Sequence, residues 1–236
     1  MIMKLLVSPI NVEEANICKI AGADIIDVKN PKEGSLGANF PWMIQAVKKV
    51  AGSVPVSATI GDFNYKPGTA SLAALGAAVA GAEYVKVGLY DIKTKEQALD
   101  MLVNIVRSVK DYDKTKKVVA SGYSDYRRIG SLSPMELPAI GRKAGVDVVM
   151  MDTGIKDGRT TFDFLSEYDL TGFVSRARSL GLQTALAGSI KFENIAVLNR
   201  ISPDIIGVRG CVCGGDRNST IKKELVERLK AEMIKV

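Results

Sequence analysis

The chain has 236 residues, 47% hydrophobic and 25% charged, the balance of a soluble globular protein with one sizeable core. It contains no histidine, which removes Ser-His-Asp triads, Cys-His dyads and imidazole-ligated metals and leaves acid–base chemistry to Lys, Asp, Glu, Tyr or Cys. The net charge of +6 points to anionic partners without separating nucleic acid from phosphorylated metabolites.

In chain order, the opening MIMKLLVSPI is too short for a signal-peptide core and lacks a small-residue cleavage site. It reads as a first strand. ADIIDVKN, VPVSATIGD, EYVKVGLYD, KKVVASGYSD, VDVVMMDTG, LQTALAGSI and PDIIGVRGCV follow, each rich in β-prone residues and running into Gly, Ser, Asp or Asn at or near its end, as buried parallel strands do. Helical patterns lie between them. TASLAALGAAVAG uses small residues, which predicts close approach to the sheet or to another chain, and the weakly polar run 70–82 is shorter than the roughly 18 residues of a membrane span. TKEQALDMLVNIVRSVK puts Ala98, Leu102, Ile105 and Val109 on one face, flanked by Leu99 and Val106, with Thr94 as N-cap and Gln97 three residues on. KDYDKTKK, from Lys110, is expected to be a solvated loop. NSTIKKELVERLKAEMIKV closes the series as a last helix with Ile221, Leu225 and Leu229 inward.

Eight strand–helix units in a chain of this length predict a single (β/α)8 barrel over residues 1–236. A doubly wound sheet would carry a glycine-rich turn after its first strand, where this chain has SPINVEE. The cysteines, Cys18, Cys211 and Cys213, are odd in number and lack framework spacing, which argues against disulfides and for a reducing, cytoplasmic compartment. No metal or cofactor is expected, because Cys-x-Cys without histidine is a poor zinc site.

Barrel chemistry gathers where strands run into their helices. Those positions hold Asp27 and Lys29, Asp62, Lys86, Ser121, Asp152 with Lys156 beyond it, Ser189 and Arg209. Asp27 and Lys29 are two apart and so project to one side of their strand. A single lysine there could snorkel to solvent or pair with a carboxylate. Two lysines inside β-branched runs, with Lys156 on a neighbouring loop, point to function instead. Burial and a nearby cation lower a lysine's pKa. At about 7.5 roughly a quarter of the amine is neutral at pH 7, against about 0.04% at 10.4. One such lysine can form an iminium while another, with an aspartate, moves protons.

A second theme is phosphate. AGSIKFEN and RGCVCGGDRNST occupy the loops that form the usual barrel phosphate cradle, offering Gly188, Ser189, Gly210, Gly214 and Gly215 as small residues and Arg209 and Arg217 as charge. Gly214 and Gly215 could equally be a plain turn, with Asn218 or Ser219 a helix N-cap. Lys66 in NYKPGTAS is a weaker contact candidate, GYSDYRR could touch substrate or close the rim, and Trp42 reads as packing or interface. No nucleic-acid signature is visible, so the expected partner is a small phosphorylated aldehyde or ketone, with homo-oligomeric assembly as the prior for such barrels.

Together DIIDVKNPKEGSLGANFPWMI, YKPGT, YVKVGLY, MDTGIKDG, ALAGSIK and IIGVRGCVCGGDRN make the chain resemble the (5-formylfuran-3-yl)methyl phosphate synthase family of methanofuran biosynthesis. The resemblance runs from the first strand to the last helix. It implies a metal-free, class I aldolase-like barrel that builds a furan from two molecules of glyceraldehyde 3-phosphate. One is isomerised towards dihydroxyacetone phosphate first, and phosphate and water are lost. It also implies that Lys29 forms the Schiff base, that Lys86 is the proton acceptor, and that Asp152 and Lys156 assist proton transfer and balance substrate charge. Asp27, by its same-side spacing, is expected to orient Lys29 or pass it a proton. The rival readings are another Schiff-base aldolase or isomerase of phosphosugars and a non-catalytic phosphometabolite-binding barrel.

Overall fold

The structure, a computed structural model, describes residues 3–233. Eight strands form one closed parallel barrel in chain order: β1 (Lys4–Val7), β2 (Ile25–Val28), β3 (Val56–Asn64), β4 (Tyr84–Asp91), β5 (Lys117–Tyr123), β6 (Val148–Asp152), β7 (Gln183–Leu186) and β8 (Ile205–Val208). Closure is made by β1 and β8, paired from Lys4↔Ile205 to Val7↔Val208. The eight-unit expectation holds.

Strand alternation sorts side chains into two layers. One set, including Leu5, Val7, Ile26, Val28, Val85 and Val87, packs with the surrounding helices in a continuous core. The other, led by Leu6, Ile25, Tyr84, Val119, Met150 and Ala185, forms a separate buried cluster in the barrel lumen. Two residues further along these strands the lumen turns polar, with Ser8, Asp27, Lys86 and Asp152 all buried. The apolar floor thus carries a charged layer at the C-terminal mouth.

The helices cover the outside: α1 (Val12–Ile20), α2 (Pro41–Ala51), α3 (Pro67–Val79), α4 (Lys95–Tyr112), α5 (Tyr126–Ile129), α6 (Leu137–Ala144), α7 (Glu167–Ser179), α8 (Ile195–Ile201) and α9 (Lys223–Met233). In α4, Thr94 accepts from the Gln97 amide, and Ala98, Leu102, Ile105 and Val109 are buried, with Met101 a further core residue. Small side chains let α3 lie close, since Ala70, Ala74, Ala77 and Ala78 are all buried against its neighbours. No helix among the described residues is long and apolar enough to cross a membrane.

Three expectations need correction. The last helix begins at Lys223; Ile221 is buried ahead of it, and its inner face is Val226, Leu229 and Met233 rather than Leu225. Its final residues, 234–236, lie outside the described residues. Asn218 and Ser219 are not its N-cap, because Asp216 captures both in a local turn by accepting from the Asn218 amide and the Ser219 hydroxyl. Lys110 is the last-turn base of α4 and pairs with Asp147 at 2.9 Å, so that lysine cluster is only partly a solvated loop.

One buried ion pair ties the first βα unit to the last. Glu14 of α1 accepts from Arg209, just past β8, at 2.7 Å, with both side chains almost fully buried. Removing one partner strands the other charge in a low-dielectric interior. Glu14→Ala is expected to lower unfolding free energy by about 3–5 kcal/mol in urea titrations.

Candidate active site

A cavity of about 410 Å³ opens at the C-terminal ends of the strands, and Lys29, Lys86, Asp152 and Lys156 all line it. Each is placed by strand geometry. Lys86 is an inward residue of β4 two beyond Tyr84, Asp152 an inward residue of β6 two beyond Met150, and Lys29 follows the last residue of β2. Lys156 sits four residues past Asp152 on the loop leaving β6.

The charges are distributed unequally. Lys86 Nζ donates to Asp27 Oδ2 at 2.8 Å, and the Ser8 hydroxyl donates to the same oxygen at 2.9 Å. Lys86 is 1% exposed and lines the cavity, while Asp27, fully buried, lies behind the wall. Burial pushes the Asp27 carboxyl up, but Lys86 and then Lys29 outweigh it and hold the group below its ordinary range. Lys156 Nζ donates to Asp152 Oδ1 at 2.5 Å and to Thr153 Oγ1 at 2.9 Å. For Asp152 too, burial acts upward and is overcome by Lys156 and Lys29, leaving a depressed pKa.

Lys29 has neither carboxylate to itself. It is 8% exposed, and its pKa falls to about 7. Burial is the main cause; Lys156 and Lys86 add to it, while Asp152 and Asp27 oppose it. An amine so placed is about half neutral at pH 7. Asp27 does not line the cavity, so its reach to Lys29 is through charge rather than through a shared opening.

On the far wall lie Gly188 and Ser189 after β7, and Arg209, Gly210, Gly215 and Arg217 after β8. Gly188 has φ 98° and Ser189 φ 50°, so two consecutive residues adopt the left-handed region. A serine held there is strained, and such positions concentrate at binding loops. A side chain at Gly188 would collide with Thr161 and Thr153.

Arg209 lines the cavity but cannot serve an anion with its guanidinium. Nε donates to the Arg217 carbonyl at 2.6 Å, Nη1 to Ser8 O at 2.8 Å and Glu14 Oε2 at 2.7 Å, and Nη2 to Glu14 Oε1 at 3.4 Å and Ser219 O at 3.2 Å. All its donors are committed within the protein. Gly214 also departs from expectation: at φ 80° it is the left-handed cap of a short 3-10 turn, Gly210–Cys213, and does not line the cavity. Arg217 remains available, since its buried Nη2 has no hydrogen-bond partner among the described residues, and Lys191 after β7 also lines the cavity.

Other candidates lie elsewhere. Trp42 is 64% exposed and stacks on Phe40 at 4.6 Å between centroids, and Lys66 precedes α3 without lining the cavity. Of GYSDYRR, Tyr123 is buried against Asp62 and Arg128 pairs with Asp157 at 2.9 Å. Cys18 and Cys211 are buried, and burial lifts both thiols to about 12, which keeps them unreactive. Among the described residues no group of three His, Cys, Asp or Glu side chains could hold a metal ion. Sequence reading missed Ser8 and Glu14. A short polar residue just past β1 and a glutamate three residues after an Asn N-cap look ordinary until their distant partners are known.

A profile of the 4-HFC-P synthase family matches residues 5–230. The (5-formylfuran-3-yl)methyl phosphate synthase of Methanosarcina mazei is 69% identical, over 98% of this chain and 99% of that protein. The proteins of that name from Archaeoglobus fulgidus and Methanocaldococcus jannaschii are each 59% identical, over 96% and 97% of this chain and 97% and 98% of theirs. Among solved structures, KGPDC from Streptococcus mutans superposes with a TM-score of 0.68 at 12% identity, covering 99% of this chain and 98% of that one. The 3-hexulose-6-phosphate synthase of Salmonella typhimurium gives 0.67 at 18% identity, with 98% and 100% covered. These two share the barrel alone. The sequence match spans every strand and both loop systems of the cavity, and the chain belongs to the 4-HFC-P synthase family.

Proposed function

We propose that this protein condenses two molecules of glyceraldehyde 3-phosphate into (5-formylfuran-3-yl)methyl phosphate, for methanofuran biosynthesis, through an imine on Lys29. The reaction is of the carbon–oxygen lyase type. The observation that carries this reading is the Lys29 amine, opening on the cavity with its pKa drawn to about 7. A neutral amine is the form that adds to a carbonyl.

In this reading the aldehyde of one triose is attacked by Lys29 and loses water to give an iminium. Loss of the C2 proton and expulsion of the C3 phosphate leave an enol whose C3 bonds to the ketone carbon of the second, isomerised triose. The free hydroxyl of that ketone closes the ring on C2 of the first triose, two waters are lost to give the furan, and hydrolysis of the imine takes back the first water and returns the amine. Over the cycle one phosphate and two waters leave, and no oxidant or reductant is consumed. Lys86 is assigned as proton acceptor, with Asp27 behind it as counter-ion at 2.8 Å. Asp152 and Lys156 are assigned to proton transfer and substrate charge on the opposite wall. The cradle of Gly188, Ser189, Gly210 and Gly215, with Arg217 in place of Arg209, is assigned to a phosphate group.

Incubation with glyceraldehyde 3-phosphate and borohydride, followed by peptide mass spectrometry, is expected to find the reduced adduct on Lys29, while the unreduced reaction gains a furan absorbance in the near ultraviolet. A folded protein yielding neither would end this reading. Lys29→Arg keeps the charge and is expected to abolish the adduct. Raising pH removes the proton from Lys29, so trapping is expected to climb through about pH 7 and level above it. A climb centred near 10 would mean an ordinary exposed amine. Arg217→Gln should raise KM for the triose phosphate about 10- to 100-fold while changing kcat far less, as steady-state kinetics would show.

A further inference from the structure

The chain leaves β2 at Lys29 and passes into a closed loop over residues 30–37. Its neck is the Asn30 amide donating to the Gly37 carbonyl at 2.9 Å, and Thr59 Oγ1 of β3 donates to the same carbonyl at 2.6 Å. A short 3-10 turn, Pro31–Glu33, follows the neck. Gly34, at φ 132°, then turns Ser35 and Leu36 into the barrel mouth, where both are buried. Two ties hold that tip. Ser35 Oγ donates to the Thr153 carbonyl, beyond β6, at 2.8 Å. The Leu36 amide donates to Asp62 Oδ2 at 3.0 Å.

Asp62 is an unusual anchor. Its other oxygen accepts from the hydroxyl of Tyr123, which reaches it across Gly88 of β4. A methyl group on Gly88 would strike Tyr123, Asp62 and Leu36 together, and one on Gly34 would strike Asp62. Both bonded partners are neutral, and burial raises the Asp62 carboxyl above its ordinary pKa. Burying a carboxyl on these terms is costly. Neither Asp62 nor Tyr123 lines the cavity.

We infer that Asp62, fixed by Tyr123, is a positioning residue: it pins the Ser35–Leu36 tip of the loop that begins at Lys29 and thereby shuts solvent away from the Lys29 amine. Its importance for turnover rests on Lys29 being the reacting amine. The charged groups acting on Lys29 are Asp27 from its own strand, Lys86 from β4, and Asp152 and Lys156 from β6 and its loop. Cutting the latch removes none of them, and the Asp62 carboxyl's own coupling to Asp152 and Lys156 is what the Asp62→Asn variant separates from the latch. The cut admits water, and burial is the largest contributor to the low basicity of Lys29.

The test labels the full-length protein with acetic anhydride across a pH series and follows acetylation of Lys29 by peptide mass spectrometry, with an exposed lysine as internal reference. Wild type is expected to show a midpoint near pH 7. Asp62→Ala should move it up by about one unit or more, and Ser35→Ala in the same direction by less. Asp62→Asn keeps an acceptor for the Leu36 amide and should restore the wild-type midpoint. A folded Asp62→Ala protein with an unmoved midpoint overturns the inference. So does Asp62→Asn shifting as far as Asp62→Ala, which would mean charge rather than a latch. If Asp62→Ala does not fold, an unmoved Ser35→Ala midpoint overturns it. The labelling needs no substrate, so it stays decisive even if wild type forms no reducible adduct on Lys29, an outcome that would instead remove the imine reading.

Discussion

Three lysines and two aspartates share one barrel mouth, and the way they divide sets the character of the site. Asp27 takes Lys86 at 2.8 Å, and Asp152 takes Lys156 at 2.5 Å. Lys29 is the odd cation. In water an unmatched ammonium costs nothing; inside a protein it is disfavoured, and losing the proton is the cheapest escape. The two ion pairs are therefore part of how the remaining amine becomes weakly basic. They supply fixed positive charge beside Lys29 while cancelling enough of it for the interior to tolerate the group.

The barrel makes this arrangement possible because consecutive inward residues are separated by two positions and stacked in layers. Leu6, Ile25, Tyr84 and Met150 fill the lower lumen and keep water from beneath, while Ser8, Asp27, Lys86 and Asp152 sit one layer higher on the same strands. The loops then act from above. Those after β7 and β8 present strained or glycine backbone and a buried guanidinium, and the one after β2 folds back over the mouth. Floor, charged layer and cover come from different parts of the βα unit.

Much of this was legible in the sequence. Eight apolar runs of similar length required eight strands, and Lys86 inside YVKVG could hardly face anything but the lumen or the helices. What stayed hidden depended on pairings between remote segments. Arg209 looks like a phosphate ligand because it ends a strand beside glycines; only the fold brings Glu14, 195 positions earlier, onto its guanidinium. Arg217, by contrast, keeps a buried Nη2 that no group among the described residues engages. Asp62 and Tyr123 are 61 residues apart, and neither has a local pattern that announces the other. The start of α9 was misplaced for a local reason: an Asx turn at Asp216 and a helix N-cap draw on the same Asn and Ser side chains.

The Glu14–Arg209 tie has a bearing on how the molecule is made. β8 has no parallel partner on its far side until it meets β1, and the guanidinium that organises the following loop has no counter-ion until α1 is beside it. A nascent polypeptide that has released seven strands still lacks the segment that completes this wall of the cavity. Assembly of that wall is consequently a late, long-range event, won only against the loop-closure entropy of nearly the whole polypeptide. The earlier half of the site, around β2 and β4, can organise while synthesis continues.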